Sequence, residues 1–198
     1  NDVTVLTSIN QYEQLINELI TNRGSTSLNF RQKLSEQAFG ETAYYDSIIS
    51  NYFYKFSKNK FPKKRVFFGN LIQQLRYGEN PHQDGAIYSE NDKLDIEQLH
   101  GKKLSYNNYN DIFAGLEILS SEKKIPMTVI VKHANPSGVA INKSSLLSFK
   151  NSQASDPVSA FGGIVACNYK IDKKVASEIN KTFFEVILSR GFDKGALT

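Results

Sequence analysis

The segment KFSKNKFPKKR, Lys55–Arg65, sets six basic residues around Pro62. Like charges repel and the proline ring is stiff, so such a stretch stays solvated and reads as a linker between two packed units, with a boundary near 57–70. A phosphate or nucleic-acid patch is the other reading of the same charge. Phe56, Phe61, Phe67 and Phe68 interleave with it, and packing of the linker ends accounts for them.

The two sides of the linker differ in texture. Upstream, the β-branched VTVL (Val3–Leu6) reads as a short strand, and Ser8 caps a helical INQYEQLINELI in which Ile9, Tyr12, Ile16 and Leu19 share a face. A second helical stretch runs from Leu28 to about Tyr54, with Leu34, Ala38, Tyr45, Ile48, Ile49 and Tyr52 at mixed three and four spacings and a bend expected at Gly40. Downstream come short strands, glycine-rich turns and helices: GAIYS (85–89), a helix near Tyr109–Leu119, MTVIVKH (127–133), a short helix near Leu146–Lys150, GGIVACN (162–168) and a helix from Asp172. This alternation predicts an α/β layered fold with at least partly parallel strands.

With 198 residues and 40% apolar content the chain can fill a core. Lys+Arg 24 against Asp+Glu 20 leaves +4, an excess too small and too dispersed to make nucleic acid the default partner. The single Cys167 excludes an internal disulfide framework and any multi-cysteine zinc site, which fits a reducing, cytoplasmic setting. No apolar run reaches about eighteen residues and no charged-then-apolar leader is present, so neither membrane insertion nor export is expected. The chain starts at Asn1, inside the expected first strand and without an initiator methionine, so a fragment of a longer protein is expected.

Three stretches are too polar and turn-rich for their apolar surroundings. In LRYGENPHQ (75–83), Arg76 offers a planar donor fork for phosphate or carboxylate, Tyr77 a ring face with a hydroxyl, and Gly78 a tight turn. An anion-binding loop and a polar loop in which Arg76 pairs with Glu79 while His82 caps a carbonyl are both open. In VKHANPSGVA (131–140), successive strand residues point to opposite faces, so Lys132 and His133 serve one site only if the strand ends there, an ending that Pro136 and Gly138 would supply. A neighbouring ammonium disfavours the imidazolium and leaves His133 available as a base, while the ammonium can face developing negative charge. A lysine and histidine simply exposed at a strand end explain the pair equally well. In SDPVSAFGGIVACN (155–168), Gly162 and Gly163 permit backbone contacts to a flat ligand, or a tight turn without one.

Elimination narrows the chemistry. The three histidines and one cysteine form neither the His-x-Glu with Pro-Cys-x-x-Cys pattern of zinc deaminases nor a His-Glu-x-x-His helix. Neither a Walker loop nor a G-x-G-x-x-G fingerprint follows a strand. A metal-free acid–base site with an anion pocket remains.

Taken in order, LRYGENPHQ, KHANPSGVA and SDPVSAFGGIVACN closely resemble the bifunctional purine-biosynthesis family that joins 5-aminoimidazole-4-carboxamide ribonucleotide (AICAR) formyltransferase to IMP cyclohydrolase. VTVL with YEQLINEL, and RQKLSEQAFGETAYYDSIISNYF, resemble the closing third of that family's cyclohydrolase domain. The resemblance implies that residues 1–56 are the C-terminal, mainly helical part of the cyclohydrolase domain, 57–70 the basic linker, and 71–198 the first half of a transformylase domain with a zinc-free, cytidine-deaminase-like layered α/β fold. The ring-closing residues would then lie upstream of Asn1.

By motif position the resemblance makes His133 the proton acceptor and Lys132 the transition-state stabiliser, Arg76 and Tyr77 the pair that binds the AICAR nucleotide, Gly162 a backbone contact and Glu185 an acidic contact to the same substrate. It implies 10-formyltetrahydrofolate as co-substrate, FAICAR and, in the full-length enzyme, IMP as products, a homodimer with active sites across its interface, and no catalytic metal, nucleic acid or membrane partner. Ser189-Arg190 stands where the family usually has Ala-Pro, and Gly195 where an acidic residue is expected. The family's folate pocket draws mostly on the second half of the domain, so this chain alone is expected to turn over little. A catalytically incompetent piece that binds nucleotide or dimerises with a full-length partner is the alternative.

Overall fold

The computed structural model describes residues 2–197. Two compact units emerge, one comprising the chain up to Ile72 with Tyr88–Asp95, the other Gln73–Ile87 with Ile96 onward.

The first unit is helical. Ser8 caps a 3₁₀ turn at Ile9–Gln11 through a reciprocal capping box with Gln11, and α1 (Tyr12–Thr21) follows. Ser27 caps α2 (Leu28–Tyr54) by accepting the Phe30 N–H. Gly40 interrupts neither the helix nor its span. The two elements are joined by the buried Gln11, whose Nε2 donates to Gln37 Oε1 at 2.7 Å. Asn51 donates to the Val66 carbonyl and Tyr44 packs edge-on against Phe68, which ties the basic segment's far end back to α2.

Two sequence expectations fail here. Val3–Leu6 belongs to no strand, because among the described residues no partner strand pairs with it; Asn1 lies outside the described residues. The expected apolar faces are also largely uncovered: Ile9, Tyr12 and Ile16 are exposed, and Leu34 is the buried residue of α2. Periodicity marked the helices correctly, but within this unit the stripes are covered only in part, Leu34 fully and Leu19 and Ala38 to an intermediate degree.

The second unit is α/β. Its main sheet has the order β4-β3-β5-β6, built from β3 (Met127–Lys132), β4 (Asn135–Ile141), β5 (Ile164–Cys167) and β6 (Val186–Leu188). β3 pairs antiparallel with both β4 and β5, and β5 pairs parallel with β6, so the sheet is mixed. Apart from this sheet, β1 (Asn70–Gln74) pairs with β2 (Ala86–Ser89) in a two-stranded ribbon whose residues are divided between the two units.

Alternation along β3 sends its side chains into two cores. Met127, Val129 and Val131 meet Ala166 of β5 and Leu119 of α3 (Tyr106–Leu119). On the other face Ile130, Val165 and Cys167 meet Phe149 of α4 (Ser145–Ser155) and Val175 and Ile179 of α6 (Lys173–Ile179). Thr128 lies on that second face, and its hydroxyl is satisfied by Tyr169 at 2.7 Å and Ser148 at 3.0 Å. Cys167 is buried there as a small apolar group, and burial pushes its thiol up to about 11.

The largest departure from the sequence reading is β4. Pro136 and Gly138 do not end β3; they lie inside a returning strand, opposite Val131 and Ile130, with a register shift between them. β4 is an edge strand, where a proline costs no ladder bond on its solvent side. Gly138 is required by packing, since a Cβ there would lie 1.9 Å from the Ser152 carbonyl oxygen.

Gly138→Ala is therefore expected to destabilise the second unit by about 3 kcal/mol, the upper end for overpacking. Gly40→Ala, at an exposed helix-interior position with nothing within 4 Å of the added Cβ, is expected to stabilise the first by about 1 kcal/mol. Chemical denaturation of the two variants checks both signs.

Candidate functional site

β3 and β4 are joined by a two-residue loop, with Lys132 paired to Asn135 across it. The loop residues His133 and Ala134 have φ of 54° and 59°, the left-handed conformation of a hairpin turn that asparagine and glycine ordinarily occupy. For residues with a Cβ this costs roughly 1–2 kcal/mol each. The strand end anticipated at Pro136 and Gly138 thus lies at His133–Ala134, where neither loop residue is a turn former. His133 is exposed at the tip. Lys132, the last residue of β3, turns its ammonium to the Phe161 carbonyl, Nζ to oxygen 2.8 Å.

Phe161 follows α5 (Pro157–Ala160), which begins with proline at its first turn and is capped by Asp156 accepting the Ser159 N–H at 2.9 Å. Bonds from Ser159 hold the Asp156 carboxyl below its ordinary value. The two following glycines serve different purposes. Gly162 has φ +72° with open space around it, whereas a Cβ on Gly163 would lie 2.8 Å from the Val131 carbonyl oxygen. Gly162 N–H donates to Phe183 at 2.9 Å, and the Gly163 carbonyl accepts the Glu185 N–H at 2.9 Å. Glu185 is thereby fixed at the entrance to β6.

Helix α3 joins the remaining pieces. Ser105 and Asn108 form a reciprocal capping box at its start, and Asn108 Nδ2 also donates to Glu185 Oε2 at 2.8 Å. The Arg76–Tyr77 loop is tied to the same end, with the Tyr106 N–H 3.4 Å from the Tyr77 carbonyl and Asn107 donating to the Glu79 carbonyl at 3.2 Å. Arg76 stacks on the Tyr77 ring at 4.9 Å and donates to its hydroxyl at 3.2 Å. Among the described residues neither the Arg76–Glu79 ion pair nor the His82 cap occurs, and Arg76 is exposed.

Hydrogen bonds thus connect Lys132 with the turn at Gly162, and Arg76–Tyr77 with Glu185 through α3. The sequence reading missed Asn108. Its signal was the capping pattern Ser105-x-x-Asn108, which begins four residues ahead of the helix start assigned at Tyr109. A cavity of about 410 Å³ lies beside Glu185, lined by Leu99, Ile112, Val186 and Phe192 among others. None of Lys132, His133, Arg76, Tyr77 or Gly162 lines it. Among the described residues no group of three or more His, Cys, Asp or Glu could hold a metal ion, and no helix is long and apolar enough to cross a membrane.

The mixed α/β unit thus carries a Lys-His hairpin tip and a stacked Arg-Tyr loop. The model of the AICARFT/IMPCHase bienzyme family matches residues 1–198, and the chain belongs to that family. It is 44% identical over 195 residues to the bifunctional purine biosynthesis protein PurH of Bradyrhizobium diazoefficiens, covering 96% of this chain and 37% of that protein. It is 43% identical over 198 residues to PurH of a Thermoanaerobacter species (98% and 39%), and 41% identical over 201 residues to PurH of Listeria welshimeri (99% and 39%). The chain therefore spans well under half the length of these relatives.

The Asp156 cap has a defined pH signature. A depressed carboxyl contributes stability that is fully present above the ordinary aspartate range, about pH 4, and is lost as pH falls through the lowered value. Asp156→Asn caps without titrating, so the melting-temperature advantage of wild type over this variant is expected to be largest above that range and to shrink on acidification.

Proposed function

We propose that the protein containing this chain transfers the formyl group of 10-formyltetrahydrofolate to AICAR, giving FAICAR, which its cyclohydrolase part then closes to IMP. Residues 71–198 would be the first half of the transformylase domain, in a cytidine-deaminase-like layering, 57–70 the linker, and 1–56 the end of the cyclohydrolase domain. The observation that carries the reading is the bond from Lys132 to the Phe161 carbonyl, which sets an ammonium beside the Gly162 turn while His133 stands exposed on the adjacent tip, in a chain matched end to end by the bienzyme family.

The carboxamide substrate's amine is a weak nucleophile because its lone pair is delocalised into the ring and the carboxamide. As its nitrogen bonds to the formyl carbon, His133 takes the amine proton. The tetrahedral intermediate carries an oxyanion, which the Lys132 ammonium stabilises. The bond from the formyl carbon to the folate nitrogen then breaks, the proton taken up at His133 is returned to that nitrogen, and tetrahydrofolate leaves. Arg76, preoriented by its stack on Tyr77, holds the nucleotide's phosphate or another anionic group, while Gly162 and Glu185 fix its base end. Such positioning converts the binding of the unreactive part of the substrate into rate. A homodimeric cytosolic enzyme completing its folate pocket with further chain is the setting in which these residues act.

In the full-length enzyme, His133→Ala and Lys132→Ala, each verified as folded, are expected to lower formyl transfer at least about a hundredfold, the usual scale for acid–base and oxyanion groups. Near-normal rates in both would mean that these residues only end a strand. Arg76→Ala is expected to raise KM for AICAR by about tenfold or more, the mark of lost ground-state binding.

A further inference from the structure

The hairpin tip is held from outside the hairpin. In a two-residue loop the N–H of the second loop residue is directed away from the partner strand, so the ladder offers it no acceptor. Here that donor is the Ala134 N–H, and Asp111 Oδ1 accepts it at 2.6 Å. Asp111 sits in the second turn of α3, three residues after Asn108, so one helix face bonds both Glu185 and the tip. A carboxylate acceptor makes this a charge-assisted bond, stronger than one to a neutral group.

The tip needs such a hold. His133 and Ala134 both occupy the left-handed region without the glycine or asparagine that adopts it readily. A strained local conformation persists where the surroundings over-determine it. On one side of the tip Lys132 is tied to Phe161, and on the other the Asn135 side chain donates to the His133 carbonyl at 2.8 Å. Asp111 is the contact that ties the loop backbone itself to a helix.

We propose that Asp111 is a positioning residue for formyl transfer: by accepting the Ala134 N–H it fixes the left-handed tip, and with it the place of the His133 imidazole relative to the Lys132 ammonium. This rests on the formyl-transfer reading above. Asp111 makes no claim on substrate or proton, so its effect belongs in turnover and not in binding.

The test uses the full-length enzyme carrying Asp111→Ala, Asp111→Asn or Asp111→Glu, with His133→Ala beside them, each checked for folding. It reads kcat, KM for AICAR, and hydrogen exchange at the Ala134 amide. Asp111→Ala is expected to lower kcat about 10- to 100-fold, the scale of a misplaced catalytic group, with KM within about threefold and the Ala134 amide exchanging at least about tenfold faster. Asp111→Asn keeps an oxygen in the same place and is expected to restore amide protection and most of kcat. Asp111→Glu keeps the charge but moves the acceptor by one methylene, and an intermediate loss of kcat is expected; it carries the test should the alanine variant not fold.

Unchanged Ala134 exchange or unchanged kcat in folded Asp111→Ala would overturn the proposal. So would an asparagine variant as impaired as alanine, or a rise in KM at constant kcat. If His133→Ala keeps wild-type kcat, the formyl-transfer reading is what fails, and the exchange data still decide whether Asp111 holds the tip.

Discussion

Burial of β3 on both faces is the constraint on which the α/β unit depends. Five consecutive residues, Met127–Val131, are withdrawn from solvent, and Val129, Ile130 and Val131 completely so. Each large aliphatic side chain buried in this way contributes about 1.5–3 kcal/mol. A strand covered on both faces needs a layer on each side, and the odd and even residues of β3 supply the contacts for α3 and for α4 with α6 respectively. The one polar residue in the run, Thr128, is accommodated because Tyr169 and Ser148 meet its hydroxyl. Left alone in that core it would cost about 1–3 kcal/mol.

The same burial decides where a polar side chain of β3 can first reach the surface. Lys132 is the first β3 residue to reach the surface, and the ladder to β5 ends one residue earlier, at Val131 opposite Ile164. The lysine therefore projects past the sheet's edge toward the segment that leads into β5. That segment comes close because Gly163 carries no Cβ to strike the Val131 carbonyl. Since β5 and β6 run parallel, Glu185 at the start of β6 lies at this same end of the sheet. Residues far apart in the chain thus converge on one edge because antiparallel and parallel pairings meet there.

Legibility from sequence followed the same physics. β3 and β5 declare themselves as short β-branched runs bounded by glycine or proline, and α2 spans the residues its spacing assigns it, Leu28–Tyr54. β4 did not, because proline and glycine are turn formers by local preference, and only an edge position beside a close-packed Ser152 makes them strand residues. The exposed faces of α1 and α2 were unreadable for another reason: amphipathic spacing says that a stripe can be buried and never what covers it. The bond between Asn108 and Glu185 spans 77 positions, beyond any local pattern, and the sequence offered only its capping half.

The hairpin tip is where sequence preference and conformation disagree most. Asn-Gly at positions 133 and 134 would satisfy the turn at lower conformational cost, and such a turn would have been read without difficulty. The chain instead places an imidazole in the left-handed region and follows it with alanine. Sequences that fold well are locally consistent almost everywhere, and departures concentrate where a side chain is needed more than a relaxed backbone. A strained histidine beside a lysine is hard to account for by stability alone. Its cost is met by contacts on three sides, from Lys132 to Phe161, from Asn135 to the His133 carbonyl, and from Ala134 to Asp111. The feature that hid the turn from a propensity-based reading is thus the same left-handed backbone that these three contacts hold in place.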